Sequence, residues 1–554
     1  MDRNLEGLVP SRIIRSTKGT VAFGSPSLSR SKQRHLCWSA YGRDMKVALT
    51  IVDHLRRAEQ VYGDRVAIID EPDQPGESWG SITYAEMARR ARAQAAGLDA
   101  LGVAQGARVA MVSQNSARLL TAFFGVSGFG RVLVPINFRL VAEEVKYIIE
   151  HCGAEVLIID PELEDALSEV HAKHKFIIGA ASDEILYKFD VQPAAWAPDE
   201  DATATINYTS GTTARPKGVQ LTHRSLWVNS AVFGWQMNVN ERDVYLHTLP
   251  QFHVNGWGMV YAVTSMGGTH VILRKVDGEE ILRRINHHGV TMLCGAPAVA
   301  NMILDAASES NVSTRRDEVR MVVAGAPPPT KTIERIETEL GWEFVQIYGL
   351  TETSPLLTMN RSRKEWSVLT PSDRASKLGA AGSPALGVEV EIDPRGEVLA
   401  RGNTVMSGYW NQPEETEKAI VDGWFHTGDG GYLGENHYLT IADRKKDVIV
   451  SGGENVSSIE VEDAVFSHPD VAEVAVIGVP DEKWGEKVLA LVVKSPGSSL
   501  TESDLIAYVR TKLAAYKCPK VVEFREELAR TATGKLQKFI LRAPYWEGFD
   551  RQVN

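Results

Sequence analysis

Apolar and polar positions along most of the chain alternate between two periods. Helix-like spacing, as in the Ala-rich segment 84–102, predicts amphipathic helices, whereas short apolar runs such as 66–70 and 108–113 predict buried strands. Two later strand-like runs, 291–297 and 320–329, end in small residues and proline. This alternation predicts parallel sheets covered by helices, in which ligands bind at the carboxyl ends of the strands.

The pattern changes after about residue 380. The segments 388–393 (VEVEID) and 396–402 (GEVLARG) alternate with a period of two, which predicts an antiparallel or barrel-like piece. A cluster of charged residues at 443–447 (DRKKD) follows and is predicted to be a hinge. The prediction is an α/β fold with a large domain, 45–442, of helix-covered sheets plus the barrel-like piece, and a small α+β domain, 448–554.

Composition narrows the class of protein. The 554 residues require two or more domains, and a net charge of −11 disfavours general nucleic-acid binding. The four cysteines lie far apart without C-x-x-C spacing, so neither a disulfide framework nor a zinc site is predicted and a reducing cytoplasm fits best. No apolar run reaches the ~18 residues of a membrane span, although peripheral membrane contact stays open.

The first 44 residues differ from the rest of the chain. They carry eight Lys or Arg against Asp2, Glu6 and Asp44, without the apolar core of a signal peptide. The favoured interpretation is a disordered extension. A targeting segment and an upstream mis-start, with Met45 as the true first residue, are the alternatives.

A strand-like segment at 205–209 runs into a loop rich in hydroxyls and glycine. Glycine allows close backbone approach, hydroxyls donate hydrogen bonds, and a lysine supplies positive charge, so the loop is predicted to hold a polyphosphate. Its spacing differs from that of the common P-loop, and taken alone it could be a surface turn. The loop residues are Thr209, Ser210, Gly211, Thr212, Thr213 and Lys217.

Seven further segments follow in a defined order. They are LPQFHVNGW (249–257), AGAPPP (324–329), YGLTET (348–353), GWFHTGD (423–429), DRKKD (443–447), SGGENV (451–456) and RTATGK (530–535). With the loop, they resemble the adenylate-forming (AMP-binding) superfamily, which includes acyl-CoA synthetases and aryl-CoA ligases. The resemblance spans residue 45 to about 545. Ala214 and Ala529 depart from the usual glycine and proline of these motifs.

The resemblance implies a two-step reaction that uses ATP, Mg²⁺ and CoA. A carboxylic acid attacks the α-phosphate of ATP to give an acyl-adenylate and pyrophosphate, and CoA then takes the acyl group and releases AMP. Displacement at phosphorus needs positioning and charge neutralisation rather than a protein nucleophile, which agrees with the residue types present. The small domain would be mobile and would rotate at Lys446 between the two steps.

The resemblance also implies roles for individual residues. Lys535 would contact the carboxylate and the α-phosphate, Thr351 the α-phosphate, and Glu352 the magnesium ion. His253 would lie in the acid-binding segment. The nucleotide would contact the loop residues above together with Gly325, Ala326, Pro327, Tyr348, Asp429 and Arg444. The path of CoA would be lined by Gly452, Gly453 and Glu454.

The acid itself is only partly defined. Relatives that activate amino acids place an aspartate in the segment that here offers His253 and Asn255, and an unpaired buried ammonium is costly, so α-amino acids are disfavoured. Trp235, Val254 and Trp257 are predicted to form an apolar wall with Met259. The segments most resemble bacterial medium- and long-chain fatty-acid CoA ligases.

Two alternatives remain from the sequence. One is an aryl-CoA ligase for a benzoate- or cinnamate-like acid. The other is a non-catalytic acyl or nucleotide sensor, which would normally have lost Lys535, Glu352 or Lys217, and all three are present. The oligomeric state stays open, with a homodimer as one alternative.

Overall fold

The computed structural model describes residues 46–209, 215–309, 318–444, 447–451, 454–481, 484–530 and 535–547. The predicted N-terminal extension, residues 1–44, lies outside this part of the chain. Among the described residues, no helix combines the length and the apolar character that crossing a membrane requires.

The described elements are numbered in chain order. The strands are β1 Val66–Ile69, β2 Ser81–Thr83, β3 Arg108–Val112, β4 Val132–Ile136, β5 Ala154–Ile159, β6 His174–Ile177, β7 Thr203–Thr209, β8 Lys217–Thr222, β9 Val244–His247, β10 Thr269–Ile272, β11 Met292–Gly295, β12 Arg320–Val323, β13 Glu343–Gly349, β14 Leu356–Arg361, β15 Ser383–Pro384, β16 Val388–Ile392, β17 Glu397–Gly402, β18 Gly408–Tyr409, β19 Ile420–Val421, β20 Trp424–Leu433, β21 Leu439–Arg444, β22 Ile449–Ser451, β23 Glu454–Val456, β24 Val471–Asp481, β25 Gly485–Lys494 and β26 Val521–Phe524. The helices are α1 Val52–Tyr62, α2 Tyr84–Ala100, α3 Ala117–Gly125, α4 Ala142–Cys152, α5 Ala180–Leu186, α6 His223–Gln236, α7 Val254–Trp257, α8 Met259–Met266, α9 Gly278–His288, α10 Pro297–Glu309, α11 Thr330–Arg335, α12 Pro371–Leu378, α13 Pro413–Ala419, α14 Ser458–Phe466, α15 Glu502–Arg510 and α16 Lys538–Arg542.

The large domain contains two mainly parallel sheets. One has the order β18-β8-β7-β4-β3-β5-β6, in which β7 to β6 run parallel and β8 and β18 antiparallel. The other has the order β15-β14-β13-β12-β11-β9-β10-β1-β2, with β13 to β1 parallel. Strand β4 (VLVPI) is buried at every position, as expected of a strand with both faces covered. The predicted helix-covered parallel sheets are confirmed.

An antiparallel sheet follows the two parallel ones. Its strands pair in the order β16-β17-β20-β19, and β21 pairs with β20. Strand β16 alternates buried and exposed residues, because only one face packs on the core. This sheet is the predicted period-two piece.

The small C-terminal domain is α+β, as predicted. Its sheet has the order β23-β22-β25-β24, with β26 parallel to β25. Helix α15 begins after Thr501, whose hydroxyl accepts a hydrogen bond from the Asp504 backbone N–H at 3.3 Å. The boundaries at 442 and 448 stay predictions.

The core of the large domain contains histidines that are buried without a carboxylate partner. The Nε2 of His247 lies 3.0 Å from the Nδ1 of His270, and the Nε2 of His270 lies 3.0 Å from the Thr264 hydroxyl. Burial lowers the pKa of His270 to about 3 and that of His54 to about 3, and burial and the neighbouring His270 lower the pKa of His247 well below its usual range. These imidazoles are therefore neutral in the folded protein at neutral pH.

This burial predicts acid sensitivity between pH 6.5 and 5. Below pH ~6.5 these histidines bind protons in the unfolded chain but stay neutral in the folded protein. The free energy of unfolding therefore decreases as the pH falls, by up to about 1.4 kcal/mol per pH unit for each histidine. Urea unfolding at pH 7.5, 6 and 5 measures this change. A midpoint that stays constant across that range would contradict the neutral, buried state of His54, His247 and His270.

Candidate active site

The predicted phosphate loop connects two neighbouring strands of the first sheet, β7 and β8. Thr209 ends β7 and Lys217 begins β8, and the two residues lie opposite each other in the register of the strand pair. Gly218 is tightly packed, because a Cβ there would lie 2.9 Å from Ile206 Cγ2 and 3.1 Å from Tyr208. The predicted loop residues Ser210, Gly211, Thr212 and Thr213 lie outside the described residues.

Lys217 is held by a network of side chains that the sequence analysis missed. Its Nζ lies 2.5 Å from Glu415 Oε2 and 4.9 Å from the centre of the Tyr409 ring. The Tyr409 hydroxyl donates a hydrogen bond to Glu352 Oε1 at 2.9 Å. Tyr409 therefore connects the lysine of the loop to the predicted magnesium ligand. Its strand, β18, pairs with β8 and has two residues, too few for a periodic sequence pattern.

Thr351 and Glu352 lie just beyond the end of β13, and both are half-buried. The carbonyl of Glu352 accepts a hydrogen bond from the Met406 N–H at 2.7 Å, which fixes its backbone. Among the described residues, no three His, Cys, Asp or Glu side chains gather to form a metal site of their own. A single carboxylate suits Mg²⁺, which keeps waters and takes other ligands from substrate phosphates. Glu352 therefore fits the implied ion.

The nucleotide side of the site forms where β12 and β13 end next to each other. Val323 of β12 pairs with Gln346 of β13, so Gly325 and Tyr348 lie at the same edge of the sheet. Gly325 has φ = +92° and no atom within 4 Å of the position of a Cβ, which leaves open space beside Gly325. Ala326 and Pro327 are half-buried beside it.

The predicted ribose contacts lie on adjacent strands. The Tyr348 hydroxyl donates to Asp429 Oδ2 at 2.8 Å, and Asp429 is buried in β20. Asp429 also pairs with Arg444 in the β20–β21 register. The structure thus brings together Tyr348, Asp429 and the backbone of Arg444 from three separate sequence motifs.

The acid-binding segment adopts an unusual backbone. Val254, Asn255, Gly256 and Trp257 of α7 all have positive φ, between +36° and +55°, so α7 is a left-handed turn rather than an ordinary helix. The Asn255 side chain donates to the Thr205 hydroxyl at 3.2 Å and anchors the turn on β7. Such backbone strain is concentrated at functional sites and is not visible in a hydrophobic pattern.

His253 immediately precedes this turn. Burial, together with the positive charge of Lys535, lowers the pKa of His253 to about 4. The imidazole is therefore neutral at neutral pH, and the electrostatic effect places Lys535 near the acid-binding segment. The structure thus brings the C-terminal lysine to the residues that the sequence assigns to the acid.

One predicted wall residue lies elsewhere. Val254, Trp257 and Met259 are buried together, but the Trp235 side chain is 71% exposed on α6. Trp235 instead lines a cavity of about 700 Å³ between α1, α6 and α8. Position 235 faces outward because it lies on the side of α6 opposite the buried Phe233.

The predicted CoA path is described in part. Glu454 is exposed at the start of β23 and pairs with Ser451 of β22. Gly452, Gly453 and Lys446 lie outside the described residues, so their predicted roles stay predictions.

Two mainly parallel sheets and an antiparallel sheet, followed by a small α+β domain, form the architecture of adenylate-forming enzymes. The family profile described as AMP-binding enzyme matches residues 55–410, and the profile of the AMP-binding enzyme C-terminal domain matches residues 460–535. The chain belongs to the AMP-binding enzyme family.

Relatives agree with this membership over nearly the whole chain. The 2-methylpropanoate–CoA ligase CCL4 of Humulus lupulus is 36% identical over 543 residues, covering 89% of this chain and 94% of its own. The peroxisomal trans-cinnamate:CoA ligase of Petunia hybrida is 34% identical, covering 90% and 94%. The o-succinylbenzoate CoA synthetase MenE of Bacillus subtilis, in complex with its acyl-adenylate, superposes with a TM-score of 0.76 at 30% identity, covering 88% and 97%.

This protein is therefore an AMP-forming acid–CoA ligase, and the prediction of an enzyme is confirmed. ATP, Mg²⁺ and CoA are the cofactors of this class; MenE has also been solved with ATP and a magnesium ion. The alternative of a non-catalytic sensor is not supported.

Proposed function

We propose that this ligase activates a fatty acid and transfers its acyl group to CoA. The observation that carries the proposal is the apolar environment around the acid-binding turn, since none of the described residues 253–259 is acidic and could pair with a substrate ammonium. Val254 and Trp257 are buried there, and α6 separates the turn from the cavity of about 700 Å³. The tail of a fatty acid bound near His253 extends toward this cavity.

The link between the turn and the cavity runs through α6. A Cβ at Gly258, just after the turn, would lie 2.4 Å from Asn229 Nδ2 and 3.9 Å from Ser230 Cα. Ser230 also lines the cavity, together with the apolar residues Trp227 and Met266. The cavity therefore lies one helix away from the proposed carboxylate site, and polar residues of α1, among them Asp53 and Arg57, line it as well.

In this proposal each described site residue has one task. Lys535 neutralises charge at the α-phosphate while the acid attacks, Thr351 donates a hydrogen bond to that phosphate, and Lys217 holds the pyrophosphate side with Thr209. Glu352 holds the magnesium ion, which neutralises phosphate charge. The adenine lies between the Tyr348 ring and residues 325–327, and Asp429 accepts hydrogen bonds from the ribose.

The second step needs a different arrangement of the domains. Rotation of the small domain at the predicted hinge, 443–447, removes Lys535 from the acid and brings the segment at Glu454 to the path of CoA. Arg444, Lys446, Gly452 and Gly453 keep their predicted roles in nucleotide contact, hinge and CoA path. The domains then extend over 45–442 and 448–554.

The second candidate is an aryl-CoA ligase. The trans-cinnamate:CoA ligase of Petunia hybrida is a relative at 34% identity, and the buried Trp257 offers a surface for an aromatic ring. We further propose a cytoplasmic location, although one similar protein is named peroxisomal. A homodimer and peripheral membrane contact stay proposals as well.

Ala231→Trp is expected to reduce the maximum chain length of the acids that the enzyme activates. Ala231 is exposed on α6 and lines the cavity, so the indole ring narrows it without disturbing the core. The kcat/KM for a C12 acid should fall at least about 10-fold, because burying each CH₂ is worth ~0.8 kcal/mol, while that for 2-methylpropanoate should change less than about twofold. AMP release with acids from C4 to C18 and with cinnamate measures both values.

Ala100→Trp is the matched control, because Ala100 is exposed on α2 and does not line the cavity. It should leave the acid profile unchanged. Turnover of aromatic acids alone would replace the fatty-acid proposal with the aryl one. Turnover of long acids that Ala231→Trp leaves unchanged would show that the tail does not use this cavity.

A further inference from the structure

A buried ion cluster lies in the small domain, close in sequence to Lys535. The Nζ of Lys538 lies 2.8 Å from Glu462 Oε1 and donates a hydrogen bond to the Ser458 hydroxyl. The Ser458 backbone N–H in turn donates to Asp443 Oδ2 at 2.8 Å. The side chains of Lys538 and Glu462 are only 13% and 18% exposed, and Asp443 is buried.

The cluster joins three elements that are distant in sequence. Lys538 begins α16, Glu462 lies in α14, and Asp443 lies in β21 within the predicted hinge. A second pair, Arg542 Nη1 to Asp447 Oδ1 at 3.1 Å, also connects α16 to the hinge. Helix α16 is therefore connected to the hinge by one ion pair, Arg542 to Asp447, and by the hydrogen bonds that run from Lys538 through Ser458 to Asp443.

One cation in this cluster, Lys538, faces two carboxylates, Glu462 and Asp443. Burial acts against the charged form of Lys538, but Glu462 and Asp443 outweigh it and raise the pKa of Lys538. The Val476 N–H also donates to Glu462 Oε1 at 2.8 Å. Apolar residues of similar size would often fold as stably as a buried ion pair, so stability alone is a weak reason for such a cluster.

Lys535 itself lies between two fixed points. On its N-terminal side, Arg530 forms an isolated antiparallel bridge with Leu536, and the Arg530 guanidinium lies 2.8 Å from Glu473 Oε2 on β24. The Gln537 N–H donates to the Ala529 carbonyl at 2.8 Å. On the other side, Lys538 anchors the chain to α14 three residues after Lys535.

We propose that Lys538 is a positioning residue, which through Glu462 and Asp443 couples the hinge to Lys535 and sets Lys535 on the reacting carboxylate. This inference rests on the proposed role of Lys535 in adenylation. Hinge movement is transmitted through the cluster, so Lys535 advances and retreats with the small domain. A misplacement of a reacting group by about 1 Å costs on the order of 10²-fold in rate, so a rigid link has a direct kinetic value.

Lys538→Met tests the proposal by separating the two half-reactions. Adenylation, measured as acid-dependent ATP–pyrophosphate exchange, should fall about 10- to 100-fold. Thioester formation from supplied acyl-adenylate and CoA should stay within about threefold, because Lys535 has no task in that step. In the Lys535→Ala background, Lys538→Met should cause no further loss of adenylation, because it acts through Lys535.

Lys538→Met removes the ion-pair partner of Glu462 and can destabilise the domain. The double variant that combines Lys538→Met with Glu462→Gln is therefore measured in the same assays. The double variant should regain the melting temperature of the parent enzyme while adenylation stays low. Recovery of adenylation together with the melting temperature would overturn the proposal, because the role of Lys538 would then be structural. Equal loss in both half-reactions would overturn it too.

Two further variants complete the design. Lys517→Met breaks an exposed ion pair with Glu460 on the same helix α14, at 2.7 Å, and should leave both half-reactions unchanged. Lys535→Ala in the same assays separates the two hypotheses. If it leaves adenylation intact, the proposed role of Lys535 fails and this inference fails with it. If it lowers adenylation and Lys538→Met does not, this inference alone is wrong.

Discussion

Lys535→Ala is expected to lower the rate of adenylation by about 10² to 10³-fold and to leave thioester formation from supplied acyl-adenylate nearly unchanged. Lys535 lies within electrostatic range of His253 in the acid-binding segment, where its positive charge adds to the larger effect of burial in lowering the pKa of that histidine. Removing the ammonium removes charge neutralisation from the step in which negative charge develops between the carboxylate and the α-phosphate. The second step uses a different domain arrangement and loses nothing by the change.

The two half-reactions are measured separately, by ATP–pyrophosphate exchange and by acyl-CoA formation from the acyl-adenylate. Lys512→Ala removes an exposed lysine of the same domain and serves as the control, with parent-like rates in both assays. An equal loss in both half-reactions for Lys535→Ala would be incompatible with the role assigned to this lysine.

Of all the substitutions discussed, Gly349→Ala is expected to lower the free energy of unfolding most, and it is expected to abolish ATP binding. A Cβ at Gly349 would lie 1.6 Å from the Pro355 carbonyl oxygen and 3.2 Å from the Leu357 N–H, so the backbone of β13 and β14 must separate. Overpacking of this kind costs about 1–3 kcal/mol or more. Because Gly349 stands between Tyr348 and the Thr351–Glu352 turn, the strain falls on the nucleotide site.

Thermal unfolding and ATP titration measure the two effects of Gly349→Ala. Gly434→Ala is the matched control. A Cβ at Gly434 would lie 3.7 Å from its nearest neighbour, which is an ordinary contact, and the φ of −88° at this position suits any residue. It should retain the parent melting temperature and affinity. A Gly349→Ala variant with parent-like stability and ATP affinity would refute the close packing of β13 against β14 at the site.

Much of the fold follows from local pattern. The apolar runs at 66–70 and 108–113 became β1 and β3, and the Ala-rich segment became α2, because parallel strands and amphipathic helices have distinct periods. The period-two segments became β16 and β17 for the same reason. The pairing order of the strands could not be predicted, since it depends on long-range contacts that no local pattern contains.

Some residues of the site could be predicted from sequence motifs, whereas others are visible only in the structure. Tyr348, Asp429 and Lys535 were found through motifs, and the structure brings Tyr348 and Asp429 within 2.8 Å. Tyr409 and Glu415 were missed, because their role comes from the short pairing of β18 with β8. The left-handed turn α7 was also missed, since a run of positive φ at Val254 to Trp257 has no hydrophobic signature.

Product analysis tests the central claim most directly. The enzyme is incubated with ATP, Mg²⁺, CoA and its preferred carboxylic acid, and the nucleotide and acyl products are quantified together. An AMP-forming acid–CoA ligase releases AMP, pyrophosphate and acyl-CoA in equal amounts, and only when the acid is present. Release of ADP and phosphate, or of AMP without the acid, would contradict the account.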